Sequence, residues 1–183
     1  AMQQGTVQLG KIGVQAIANT MGVTVMAAYT IINRIDDFAC MPEQNIGHAM
    51  TSFMAQNRGA GKKERVKKGF FGGMMIEAFY GACISLICFF FAKPIIGLFV
   101  KDAEVIREGV TYLRLMSVMY LLPAATNGIQ GFFRGIGDLK VTLLSSMMNM
   151  GMRVLAAFVL VAVFQMQVET FPYACLAGWI AML

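Results

Sequence analysis

The chain has 183 residues, of which 57% are hydrophobic and 14% charged, and its mean hydropathy is +0.63. Soluble domains carry about 25% charged residues, so the composition excludes an ordinary soluble domain and predicts a membrane protein or a piece of one. The net charge of +5 is concentrated, with six of the fifteen Lys and Arg between Arg58 and Lys68; between apolar helices such a cluster fixes topology and does not predict nucleic-acid binding.

In chain order, the first apolar segment runs over 5–21 and is interrupted by Gln8, Lys11, Gln15 and Asn19. Gln8, Gln15 and Asn19 share a helical face, which suits contacts with neighbouring helices or a substrate-lining surface. The next segment, 25–57, is too apolar for a surface helix and too polar for an ordinary span. Thr30, Asn33, Asp37, Cys40, Gln44, His48 and Thr51 step by three or four along it. That spacing puts them on one helix face, expected to line an aqueous cavity or a bundle interior. Ile31, Ile35, Phe38 and Phe53 are expected to pack away from it. Pro42 lies mid-segment and predicts a kink, because it removes one backbone donor. Arg34 and Asp37 are spaced to pair. At roughly 50 Å against about 30 Å of hydrocarbon, this helix has to project on at least one side.

Residues 58–68 read as a basic turn, with Gly59 and Gly61 ending the preceding helix. A span follows at 70–92, with Glu77 its one charge. Residues 101–108 read as a charged loop. The next span, 110–133, is broken by Pro123. Residues 134–140 (RGIGDLK) form a tight turn with Gly135 and Gly137, and Arg134 and Asp138 are placed to cap and anchor helix ends. Span 141–164 has Arg153 as its one charge. The apolar stretch 171–183 is about 13 residues and too short to cross. The fold class is therefore all-α: a polytopic transmembrane bundle of one unit, 1–183, with five complete spans and a partial sixth. Loops 58–68 and 134–140 carry the net positive charge and are expected on the cytoplasmic side of a plasma or inner membrane.

Chemistry for catalysis is absent from the pattern. No nucleophile has a base partner, His48 is the single histidine, and GFFRGIGD follows no strand, so neither an enzyme nor a phosphate cradle is expected. Cys40, Cys83, Cys88 and Cys175 lack metal-ligand spacing; no metal or cofactor is expected, and the thiols read as small buried hydrophobes. No leader peptide is read at the start. Two deep charges stand apart. Arg153 needs a carbonyl or carboxylate partner, for which Glu77 is a candidate, and is a structural clamp or a functional cation. Glu43 is either a paired structural carboxylate or a site for a proton, a sodium ion or a cationic substrate.

The runs AAYTIINRIDDFACMP, FMAQNRGAGKKERVKKG, YLRLMSVMYLLPAATNGIQGFFRGIGDLK and NMGMRVLAAFVL resemble the C-terminal lobe of the MATE (multidrug and toxic compound extrusion) transporters, across essentially the whole chain. The resemblance implies half of a twelve-helix secondary antiporter. It would export cationic or amphipathic small molecules against sodium or proton entry, with membrane lipid and an N-terminal lobe as partners. Some branches carry coupling carboxylates on the seventh and tenth helices. The corresponding spans here, 5–21 and 110–133, hold no Asp or Glu, which points coupling toward the N-terminal lobe. Candidate cavity residues are Gln15, Asn19, Asn33, Asp37, Glu43, Gln44 and His48. A lipid-linked oligosaccharide flippase of the same wider superfamily and a non-transporting membrane scaffold are the competing readings. The polar stripe argues against the scaffold, and the mixed sign of the deep charges against the flippase.

Overall fold

The computed structural model describes residues 2–182, apart from the side chains of residues 2–4 and 6. Ala1 and Leu183, the two ends of the expected unit, lie outside the described residues. Every regular element among them is helical: α1 Met2–Asn19, α2 Val23–Gly59, α3 Lys63–Phe90, α4 Ala92–Gly97, α5 Ala103–Met119, α6 Leu121–Gly135, α7 Leu139–Ala162 and α8 Thr170–Met182.

The turns are shorter than the charge pattern suggests. The basic run 58–68 is mostly helical, and only residues 60–62 separate α2 from α3. Gly61 makes that reversal with φ +69°, a left-handed conformation that glycine adopts without strain. Gly137, at φ +81°, does the same before α7. Residues 101–108 are not a loop. Asp102 caps α5, its carboxylate accepting from the Glu104 and Val105 N–H groups at 2.9 and 3.0 Å, which satisfies donors the first turn leaves open. The expected span 110–133 is two helices that meet at Tyr120. Pro123 then falls in the first turn of α6, where no intrahelical donor is missed. Pro42 stays inside α2, which runs unbroken for 37 residues.

Among the described residues, two helices are long and apolar enough to cross a membrane, Lys63–Phe90 and Leu139–Ala162. Their outward residues are large and apolar: Phe71, Met75, Phe79, Leu86 and Phe90 on α3, Leu144, Met148, Leu155 and Phe158 on α7. Such faces are covered in the folded protein's own environment, here by hydrocarbon.

Inside, Tyr29 of α2, Tyr112 of α5 and Phe171 of α8 stack on one another, with ring centroids 4.6 Å apart for Tyr29–Phe171 and 5.8 Å for Tyr112–Phe171. Such pairs contribute about 0.5–1.5 kcal/mol beyond burial. Ile32, Leu113, Met116 and Val14 pack around them. Toward their other ends, α2 and α6 touch backbone to backbone. A Cβ on Gly131 would stand 2.5 Å from the Gly47 carbonyl oxygen, and one on Gly135 2.7 Å from that of Thr51. Thr51 Oγ1 donates across this seam toward the Gly131 carbonyl (3.1 Å) and to Gly47 (2.8 Å). Small residues at a helix contact are what allow this approach.

Candidate functional site

The polar face of α2 meets α1, α6, α7 and α8 around a cavity of about 910 Å³. From α2 come Asn33, Asp36, Asp37, Cys40, Gln44 and His48. The spacing of 3.6 residues per turn brings these side chains into line, and α6, packed beside α2, adds Thr126, Asn127, Gln130 and Arg134. Ser146, Asn149 and Arg153 of α7, Trp179 of α8 and Lys11 of α1 complete the wall.

The charges are arranged in contacts. Lys11 Nζ donates to Asp37 Oδ1 at 3.0 Å, at an exposed position. The Tyr120 hydroxyl donates to Asp36 Oδ1 at 2.5 Å. Arg153 donates to Cys175 Sγ at 2.6 Å and lies within electrostatic reach of Asp36. Gln130 Nε2 donates to Ser146 Oγ at 3.2 Å, tying α6 to α7. Arg134 ends α6 and turns toward the cavity, with its Nε buried and without a hydrogen-bond partner. The lining thus carries Asp36 and Asp37 against Lys11, Arg134 and Arg153, with amides between.

Of the sequence candidates, Asn33, Asp37, Gln44 and His48 converge on this cavity. Gln15 is exposed on α1 and lines no part of it. Asn19 lines a separate crevice of about 590 Å³ with Val23, Arg34 and Phe99. Glu43 is fully buried on the seam between α2 and its neighbours, one residue round the helix from Gln44. Ile35 is buried in the core, Phe38 faces outward and Phe53 is partly exposed against Gly69.

Other pairings differ from expectation. Glu77 does not partner Arg153, whose hydrogen bond goes to Cys175. Asp37 pairs with Lys11 instead of Arg34. Asp138 caps α7 as expected, accepting from the Val141 N–H at 3.3 Å, whereas Arg134 faces the cavity. Gly59 is the last residue of α2. Of the thiols, Cys88 and Cys175 are buried, while Cys40 and Cys83 are partly exposed. Lys11, Asp36, Gln130, Asn149 and Trp179 were not singled out from sequence. Asp36 could have been: it adjoins Asp37 and sits three residues from Asn33 on the same face.

An all-helical bundle with hydrocarbon-type outer faces and a polar interior cavity is the build of an integral membrane protein. The MatE family pattern matches residues 1–159, and the chain belongs to the MatE family. It is similar to the "Probable multidrug resistance protein YoeA" of Bacillus subtilis (strain 168), 28% identical over 155 residues, 84% of this chain and 34% of that protein. It is also similar to the "Probable multidrug resistance protein NorM" of Thermotoga maritima, 24% identical over 175 residues, 93% of this chain and 36% of that one. The solved structure of a MOP superfamily transporter from Pyrococcus furiosus shares the fold, with a TM-score of 0.93 at 15% identity, over 99% of this chain and 40% of that one. The chain thus spans about a third of the length of these curated relatives.

Proposed function

We propose that this chain is the C-terminal lobe of a twelve-helix secondary antiporter that exports organic cations and amphipathic drugs against sodium or proton entry. In this reading the lobe supplies five complete spans and part of a sixth, and sits in the plasma or inner membrane with the turns at 60–62 and 136–138 in the cytoplasm. The N-terminal lobe completes the transporter, and catalysis has no part in it. One observation carries the reading: α2 aims Asn33, Asp36, Asp37, Gln44 and His48 into a single cavity of about 910 Å³. Such a cavity suits an amphipathic cation, with carboxylates and amides for its charge and Trp179 and Met150 for its apolar body.

The test uses the full-length transporter in cells, with Asp36→Asn expressed at the wild-type level. Efflux of a cationic dye falls more than efflux of a neutral amphipathic substrate. Equal effects on both substrates would remove the carboxylate from the substrate site.

A second reading, the lipid-linked oligosaccharide flippase, is favoured by Arg134, whose guanidinium reaches the cavity that Arg153 and Lys11 also line, with Nε unpartnered. Arginine suits pyrophosphate because its planar fork matches phosphate oxygens. Loss of lipid-linked substrate binding in Arg134→Gln, with dye efflux absent from the wild type, would select it.

A further inference from the structure

Two carboxylates lie outside the polar cavity and are not used by it. Glu43 of α2 and Glu77 of α3 are both 0% exposed. All four of their oxygens are buried without a hydrogen-bond partner. The ion pairs among the described residues, Lys11–Asp37 and Arg107–Glu108, involve neither.

The contacts on either side set the two acids at one level. α2 and α3 run antiparallel. Tyr80 Oη donates to the Ala39 carbonyl at 3.0 Å. Ala39 is one turn before Glu43, and Tyr80 one turn after Glu77. On the far side, a Cβ at Gly73 would meet Met50 Sδ at 2.5 Å. Gly73 is one turn before Glu77, and Met50 two turns after Glu43. Between these two contacts Glu43 and Glu77 stand at the same level and within electrostatic reach of each other. α6 closes the third side: a Cβ on Gly128 would stand 3.6 Å from Glu77 Cγ. The neighbouring Asn127 side chain approaches Glu43 as a donor, in a contact too poorly aligned to satisfy the carboxylate oxygens.

We propose that Glu43 and Glu77 form a cation site at the α2–α3–α6 junction that takes a proton or a sodium ion, beside the substrate cavity and joined to it through Asn127. Two carboxylates shut away from water, with no basic partner, do not both stay ionised and empty. One shared proton, or one small hard cation held by the carboxylate oxygens, removes the repulsion and satisfies the orphaned atoms. The proposal rests on the antiporter reading in one respect, that it gives the coupling ion a place. That place lies beside Asn127, which also lines the substrate cavity, so ion and substrate share one residue of α6.

The experiment takes the purified full-length transporter as wild type, Glu43→Gln, Glu77→Gln and the double variant. Thermal stability is followed in a sodium chloride titration against choline chloride, and separately across pH in sodium-free choline buffer. Binding of a cationic dye is measured in parallel. A response in the sodium arm identifies a sodium site, and a response in the pH arm alone a proton site. Either single variant weakens the responding arm by about tenfold or more, as loss of a ligand or its supporting shell does. The double variant loses no more than the singles, since both residues serve one site. Should Glu43→Gln fail to fold, Glu77→Gln decides. Sodium and pH responses that both match the wild type would overturn the site. A lost ion response, with no dye binding even by the wild type, would support the site and overturn the drug-cavity reading.

Discussion

The hydroxyl of Tyr120 donates to the carboxylate of Asp36 across 84 residues of sequence, at 2.5 Å. Tyr120 stands between α5 and α6 and is fully buried. The bond therefore ties the helix break to the polar face of α2. A hydrogen bond to a charged group contributes about 1.5–3 kcal/mol. Tyr120→Phe is expected to lose stability on that scale in the full-length protein, read as a lower thermal midpoint in detergent. An unchanged midpoint would show that the bond does not persist in solution.

The α2–α6 seam leaves no room for a methyl. Gly131→Ala brings a Cβ within 2.5 Å of the Gly47 carbonyl oxygen, whereas nothing lies within 4 Å of one on Gly72. Overpacking costs about 1–3 kcal/mol. Gly131→Ala is expected to destabilise by that amount, and Gly72→Ala to leave stability unchanged or slightly raised, since alanine is the better helix former. Comparable midpoints for the two variants would contradict the seam.

Lys11 and Asp37 make an ion pair at an exposed position, with side-chain exposures of 39% and 67%. Pairs of that kind contribute about 0–1 kcal/mol. Lys11→Gln is therefore expected to leave the thermal midpoint almost unmoved while freeing Asp37 toward the cavity. Affinity for a cationic dye should rise in a binding titration. A falling affinity would mean that the lysine positions the carboxylate productively.

Topology is accessible to chemistry. A cysteine at Ala60, exposed between α2 and α3, is expected to resist an impermeant thiol reagent added to whole cells. The same residue should react once the membrane is opened. Labelling from outside would reverse the orientation assigned from the charge of residues 58–68.

Much of the helical plan could be read from the chain because its apolar stretches are long and the polar stripe of α2 repeats every three or four residues. The stripe of α2 was legible since five of its polar residues, Asn33, Asp37, Cys40, Gln44 and His48, do converge on one cavity. Glu43 was misplaced for a physical reason. It is about 100° from Gln44 and falls on the seam of Ile35, Ala39, Met50 and Met54, which is buried. A carboxylate on an otherwise apolar seam looks polar in sequence whichever way it points. The start of α5 is masked in sequence by the density of charge over residues 101–108, within which Asp102 is the capping residue. The break at Tyr120 was located late, at Pro123, because proline marks the first turn of the new helix and not its boundary. The partners of Arg153 and Asp37 were beyond reach, since α1 and α8 approach them only through the tertiary fold.

The Gly47–Gly131 contact has a mechanical meaning. Most helix pairs slide by letting interposed side chains change rotamer. Here peptide groups bear directly on each other, and Thr51 is bonded to a carbonyl on each helix. A joint of that kind has nothing in it to re-set. One wall of the cavity is thus a rigid strut made of two helices, and any change in cavity volume has to come from the opposite wall, where Lys11, Asn149 and Trp179 stand on α1, α7 and α8.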